Sequence, residues 1–403
     1  MTQRFFLAFF LLLGFSLIFL VSLKYTSGDF DIYYEASQLY LAKAPIYTAH
    51  SGINEFKYSP LFALFFSPLT LISKIVALYV WTFINILFLF AIFFVLSRLK
   101  LISFSEPKDF MIAISLFALT GQFLFADFRL GQVNVLLCLL MVLIMYYEMS
   151  GKYFSASVVL AFSLMIKFFP LLFVFYFLLK RRFKLLGYTA LMLAVFLVLP
   201  SLYTGFNFNL GYLREWLELL KSTPVSLLYS FRNNSLLAFY SWLFIVRHEI
   251  GNAFDYLFIK KNLTPGIYYA WGSTCFVLFV CFFKDVFNRK ADARQIDYLD
   301  YSCLFVCCLL FNPLAYLNAF VLLFVPYFFI LRECFYSSFN KKDVILIGSL
   351  LGTSFILTHL GHKEFFKDES RYYSFLEMKP LMWAVILVFI ILCFIKFRLK
   401  VKS

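Results

Sequence analysis

Apolar runs long enough to cross a bilayer recur along the chain, and the charges are bunched in the stretches between them. With no water to satisfy backbone N–H and C=O groups, only helices and closed barrels can span a membrane. A barrel would show short, weakly alternating segments. Here several apolar runs reach or exceed the ~18 residues that read as a transmembrane helix. The chain is 63% hydrophobic, 22% aromatic and only 14% charged over 403 residues, which leaves too little polar surface for a soluble protein of this size. The expected fold is all-α: a polytopic membrane protein with about 12 transmembrane helices (roughly 11–13). It forms a single integral membrane domain over residues 1–403.

The net charge of +14 does not point to nucleic acid, because much of it sits in short loops. These are Lys180, Arg181, Arg182 and Lys184; Lys284, Arg289, Lys290 and Arg294; Lys341 and Lys342; and the tail Lys396, Arg398, Lys400 and Lys402. Short basic loops mark the cytoplasmic side. On that rule helix 1 spans about 5–23 as an uncleaved first helix and exits outward. Residues 24–74 form a first outer segment and helix 2 returns over about 75–97. Helices 3 and 4 turn outside at Asp127-Phe-Arg-Leu-Gly-Gln132. Helices 5 and 6 form a hairpin between Lys152 and Lys180, broken at Lys167-Phe-Phe-Pro170. Helix 7 (about 185–203) leads to a second outer segment over about 204–262, and helix 8 (about 264–283) returns. Helices 9 and 10 turn at Asn312-Pro313, and helices 11 and 12 flank a loop from His359 to Lys379. Both termini lie inside.

The outer segments read as structured. Asp31, Glu35 and Gln38 recur at helical spacing, so residues 31–43 form an amphipathic helix on the membrane surface, stopped by Pro45. Residues 58–72 are apolar but contain Pro60 and Pro68, and are too short to span; they read as a juxtamembrane or re-entrant helix. In residues 210–228, Trp216, Leu217 and Leu220 oppose Arg214, Glu218 and Lys221. Helices of this kind can roof a cavity at the bilayer surface. Of the eight cysteines, seven fall inside apolar runs, where Cys behaves as a small hydrophobe, and no CxxC pair occurs. His359 and His362 lack the further ligands of a zinc set.

The candidate chemistry lies on the outer side. Asp29 and Asp31 follow the first apolar run and either cap the surface helix, sit as solvated charge, or include a general base. Lys167 is the only charge between Lys152 and Lys180. Each arm of that hairpin is short, roughly 20 Å at helical rise. Lys167 therefore either snorkels or lines a cavity below the outer surface. Arg129 precedes Gly131-Gln-Val-Asn134, and Arg232 precedes Asn233-Asn-Ser235. Three outer cations beside apolar helices suit a phosphate carried on a long isoprenoid tail.

An ordered motif set gives this pattern a family likeness. Asp-Phe-x-Ile-Tyr-Tyr-x-Ala (29–36) resembles the first-loop motif of glycosyltransferase family 87. There follow Phe-Lys-Tyr-Ser-Pro-Leu (56–61), Pro-Leu (68–69), Gly-Gln-Val-Asn (131–134) and Ile-Lys-Phe-Phe-Pro-Leu-Leu-Phe (166–173). Asn-Asn-Ser-Leu (233–236) and Asn-Pro-Leu-Ala-Tyr (312–316) complete the set, which extends over about 26–325. The chain departs from the family where histidines often follow the late outer turn: Asn318 and Ala319 stand there. Asn-Asn-Ser also replaces the more usual Asn-Gln-Ser.

The resemblance implies a GT-C fold and a polyprenyl-phosphate-sugar-dependent transferase, with mannose the expected hexose. It places the catalytic Asp on Asp29. An inverting transfer then follows, with Asp29 taking the acceptor hydroxyl proton. Lys167, Arg129 and Arg232 would meet the donor phosphate. Asp31, Tyr34, Tyr58, Gln132, Asn134, Asn234 and Asn318 would position sugar and acceptor. No cofactor is expected, although the Asp29/Asp31 pair offers a place for Mg²⁺ or Mn²⁺. The partners are a polyprenyl-phosphate-linked sugar, a lipid or glycan acceptor and membrane lipids, with no nucleic acid. The expected location is the cytoplasmic membrane, with the site facing out. Two other readings compete: a flippase for lipid-linked glycans, which would carry midplane charge pairs and inverted repeats, and an O-antigen-ligase or polymerase type of enzyme. The latter usually relies on a large outer loop rich in Arg and His, whereas the second outer segment here is shorter and carries one His, His248.

Overall fold

Prolines and one glycine punctuate a chain that is helical, with no strand among the described residues. The computed structural model describes residues 28–47, 55–221, 230, 232–243, 253–284, 286, 294–336, 339–360, 366 and 368–402. Helix α1 (Asp29–Leu41) is followed by α2 (Pro60–Phe66), which runs into a 3-10 turn over Ser67–Leu71. Then come α3 (Lys74–Arg98), α4 (Pro107–Leu130), α5 (Asn134–Met149), α6 (Tyr153–Ile166) and α7 (Leu171–Leu179). The chain continues through α8 (Phe183–Val198), α9 (Ser201–Thr204) and α10 (Phe206–Lys221). The remainder is α11 (Leu236–Ser241), α12 (Ala253–Phe283), α13 (Arg294–Leu310), a 3-10 segment over Leu317–Leu323, α14 (Phe324–Tyr336), α15 (Lys341–His359), α16 (Glu369–Glu377) and α17 (Pro380–Lys402). Pro60 and Pro107 stand at the starts of α2 and α4, where the missing N–H costs nothing. Pro170 separates α6 from α7 at the expected break.

The protein is an all-α polytopic membrane protein. Six helical stretches among the described residues are long and apolar enough to cross a bilayer: Lys74–Arg98, Pro107–Leu130, Phe183–Thr204, Pro265–Phe283, Leu317–Tyr336 and Pro380–Leu399. This is half the expected twelve. Helix 1 (5–23) lies outside the described residues, as do Arg289 and Lys290 of one basic loop and the end of the second amphipathic segment beyond Lys221. Of the five other expected spans, those of helices 9 and 11 are α13 with 17 residues and α15 with 19, and three are shorter still. The segments expected as helices 4, 5 and 6 are α5 with 16 residues, α6 with 14 and α7 with 9. Hydropathy registers such pieces without showing that they stop short of a full crossing.

Residues 1–111 and 121–224 make one compact unit, and residues 112–120 and 225–403 a second. In the first unit the segment that carries α1 and the one that carries α10 grip each other. Helix α1 buries Phe30, Tyr33, Ala36, Ser37 and Tyr40 along one face at a spacing of three and four, and Ile32 and Tyr34 beside it, so it is more enclosed than an amphipathic surface helix. Helix α10 buries Asn209, Tyr212 and Trp216. Leu217, expected on that apolar face, is 52% exposed, because it lies a further 100° round the helix from Trp216. Tyr212 Oη donates to the Ala44 carbonyl at 2.8 Å, Trp216 Nε1 to the Lys57 carbonyl at 3.1 Å and Tyr40 Oη to the Pro200 carbonyl at 2.9 Å. Each buried ring contributes on the order of 2 kcal/mol by area. In the second unit a buried pair, Lys396 and Asp300 at 2.9 Å, joins α17 to α13.

Candidate functional site

The site starts from a turn that admits no side chain. Helix α4 ends because Gly131 adopts φ +63°, a left-handed conformation open to glycine. Gln132 N–H then donates to the Asp127 carbonyl at 2.9 Å, and Trp81 Nε1 donates to the Gly131 carbonyl at 2.9 Å. A Cβ on Gly131 would lie 2.5 Å from Cβ of Phe30. The first turn of α1 therefore rests directly on the 131–134 turn, and this brings Asp29 to Gln132.

Asp29 is the first residue of α1, and Gly28 is its N-cap without a side-chain bond. Asp29 is thus not a capping residue. It is partly exposed, and its carboxylate hydrogen-bonds to Gln132. Burial raises its pKa above the usual aspartate value; the Gln132 bond and the charges of Lys167 and Lys57 pull it back only in part. Gln132 is fixed from its other side. Its Oε1 accepts from Tyr33 Oη at 3.1 Å, which leaves the amide N–H to face Asp29. Tyr33 and Tyr58 share a 2.6 Å hydroxyl–hydroxyl bond. Burial, first of all, holds both phenols well above their ordinary pKa, so they remain protonated donors.

A second chain of contacts runs beside the first. Asp127, fully buried in the last turn of α4, accepts from Asn134 Nδ2 at 2.7 Å and from the Val135 N–H at 3.4 Å. Asn134 Oδ1 in turn accepts from Lys167 Nζ at 2.7 Å. Lys167 stands at the α6–α7 break, where the backbone turns extended (φ −146°, ψ 150°), and it remains partly exposed. Asp29 and Asp127 both feel its charge. Next to it, Phe168 stacks on Trp216 of α10 with ring centroids 5.6 Å apart.

The structure thus brings together Asp29, Tyr58, Gln132, Asn134 and Lys167 from the residues singled out in the sequence. It turns others elsewhere. Asp31 pairs with Lys74 at 3.0 Å, as does Glu35, so its carboxylate ties α1 to α3. Tyr34 donates to the Ile72 carbonyl at 2.8 Å and serves the fold; its neighbour Tyr33 occupies the cluster instead. Arg129 shares the last turn of α4 with Asp127 and has a buried Nε with no hydrogen-bond partner. Arg232, Asn234 and Asn318 belong to the second unit. There the Asn-Asn-Ser and Asn-Pro-Leu-Ala motifs meet. Asn233 donates to the Pro313 carbonyl at 2.9 Å and accepts from the Ala315 N–H at 3.0 Å, and the Asn234 N–H donates to the Ala315 carbonyl at 2.8 Å. Asn234 Oδ1 is buried without a partner, Asn318 is 7% exposed within its 3-10 segment, and the Arg232 side chain is exposed. Lys379 in the same unit donates to the Ser230 carbonyl at 3.0 Å, and burial pushes its pKa down to about 8.

Three residues of the first unit escaped the sequence reading. Tyr33 was masked by an adjacent tyrosine, and Asp127 was read as part of a turn although it closes an apolar helix. Lys57, whose pKa burial depresses, lay within a quoted motif without a role. Among the described residues, no group of three or more His, Cys, Asp or Glu side chains is gathered where a metal ion would be held.

Comparison with curated proteins gives no match. The model of glycosyltransferase family 87 matches residues 56–313, more than half of the chain. The match takes in Tyr58, Asp127, Gln132, Asn134 and Lys167, and begins after the turn of α1 that carries Asp29. The chain belongs to glycosyltransferase family 87.

Proposed function

We propose that this membrane glycosyltransferase moves a hexose, mannose by its family likeness, from a polyprenyl-phosphate donor to a hydroxyl of a lipid or glycan acceptor. The observation that carries this reading is the pairing of Asp29 with Lys167 in one electrostatic neighbourhood, at the ends of apolar helices where a lipid phosphate would lie. Asp29 takes the acceptor proton as the acceptor oxygen attacks the anomeric carbon. The bond from that carbon to the phosphate oxygen breaks, and the lipid phosphate leaves with the electron pair. Attack from the face opposite the phosphate inverts the anomeric configuration. A raised pKa suits Asp29 to this task, since a base close to the working pH accepts a proton more readily. Lys167 offsets the charge that gathers on the leaving phosphate. Arg129 and Arg232 are further candidates for that phosphate. Tyr33, Tyr58 and Gln132 hold the base in place, while Asn234 and Asn318 are candidates for sugar or acceptor contacts. The site faces outward from a cytoplasmic membrane, with both termini inside and the outer segments 24–74 and 204–262 over it.

The test is a transfer assay with purified protein, a polyprenyl-phosphate hexose and extracted glycolipids, read by mass spectrometry and by NMR of the new anomeric centre. A product heavier by one hexose, with inverted configuration, is expected. Movement of the lipid across vesicles with no change in its mass would replace the transferase mechanism with a flippase.

A further inference from the structure

Lys167 is anchored in an unusual order: carboxylate, amide, ammonium. A carboxylate only accepts hydrogen bonds and an ammonium only donates them, so Asn134 has one workable orientation, NH₂ toward Asp127 and C=O toward Lys167. Both bonds are 2.7 Å, and Asp127 and Asn134 are buried at 0% and 1% exposure. Asp127 therefore fixes the amide, and the amide fixes the lysine. Yet no direct Asp127–Lys167 ion pair forms among the described contacts. Resting on the donor reading above, we propose that Asp127 and Asn134 are positioning residues that pin Lys167 while leaving its charge available to the phosphate of a prenyl-phosphate donor.

The alternative order shows what is at stake. If the carboxylate touched the ammonium directly, the pair would be close to neutral, and an arriving phosphate would have to break an ion pair. A neutral carbonyl oxygen holds the ammonium by dipole alone and gives way at less cost. Asp127 supplies the rigidity one residue removed from the charge it serves.

The double substitution Asp127→Asn with Asn134→Asp tests this order. It keeps the shape of both side chains and the bond between them, but puts the carboxylate on the lysine. The probe is farnesyl phosphate, with binding measured on detergent-solubilised protein. The expected result is binding weaker by about tenfold or more, since the phosphate now competes with a charged partner. Adding Lys167→Ala to the swap should then give no further loss beyond Lys167→Ala alone, because coupled residues are not additive. Wild-type affinity in the swapped protein overturns the proposal and leaves the donor reading intact. Failure of the wild type to bind the probe, or wild-type binding by Lys167→Ala, overturns the donor reading and this proposal with it. If the swap does not fold, Asp127→Asn alone decides. It removes the acceptor-only partner that fixes the Asn134 amide, so the amide is free to turn its NH₂ toward Lys167 and binding should fall by about threefold or more; wild-type affinity overturns the proposal.

Discussion

Glu148, near the end of α5, is fully buried and takes Arg182 at 2.8 Å and Lys180 at 3.3 Å. Asn134, the first residue of the same helix, takes Lys167 at 2.7 Å with an amide in place of a carboxylate. The two clusters stand roughly 21 Å apart along one helix. At the Glu148 end the cations are answered by a carboxylate, which secures the α7–α8 turn against α5. At the Asn134 end the lysine is held by an amide oxygen, and the charges of Asp29 and Asp127 reach it without a direct ion pair among the described contacts. On the donor reading proposed above, the contrast separates charge used to hold a fold from charge kept for a ligand. Burial of an ionic group does not by itself say which of these is present; the identity of the partner atom does.

Substitutions at the two ends should break differently. The largest effect is expected at Asp29: Asp29→Asn should lower the transfer rate by about 10²–10⁴-fold with an unchanged unfolding midpoint. Near-normal turnover by that variant would remove Asp29 as the base. Lys167→Ala should cost about 10²-fold in kcat/KM for the donor and little in acceptor KM. An acceptor effect as large as the donor effect would move Lys167 away from the phosphate. At the other end, Glu148→Gln should destabilise by about 1–3 kcal/mol in thermal unfolding, because Lys180 and Arg182 can partly turn to solvent. Transfer per folded molecule should stay near normal, and a specific loss of donor affinity would dissolve the contrast. The smallest effect is a shift in pH. Asp29 must be ionised to accept a proton, so rate falls as pH drops through its pKa. Burial raises that pKa, which puts the acid limb above the usual aspartate range. Gln132→Leu removes an interaction that lowers it, so the limb should move further up; a downward move would show that Gln132 does not stabilise the ionised base.

Much of the architecture was legible in the sequence because it follows from local chemistry. Pro170 broke the short hairpin where expected, the turn at Gly131 followed from residue type, and the helix expected over 31–43 from its spacing runs over Asp29–Leu41. What stayed hidden depended on rotation and distance. Tyr33 and Tyr34 differ by 100° on one helix, and only packing chooses which faces Gln132. Trp216 and Leu217 repeat that ambiguity. The meeting of Asn233 with Pro313 and Ala315 joins residues about eighty positions apart, which periodicity cannot see. Asp127 was obscured for another reason: its partner Asn134 lies across a turn, so no repeat on a single helix links them.

The absent side chain at Gly131 also bears on how such enzymes can be recombined. Phe30 presses on the place where its Cβ would be, so the segment that carries Asp29 and the turn that carries Gln132 and Asn134 fit as a matched pair. A chimera that exchanged only residues 28–36, or only 127–134, with those of a relative would join two surfaces shaped for other partners. Exchanged together, the two segments form a transplantable cassette, and acceptor preference can then be sought in the helices around it.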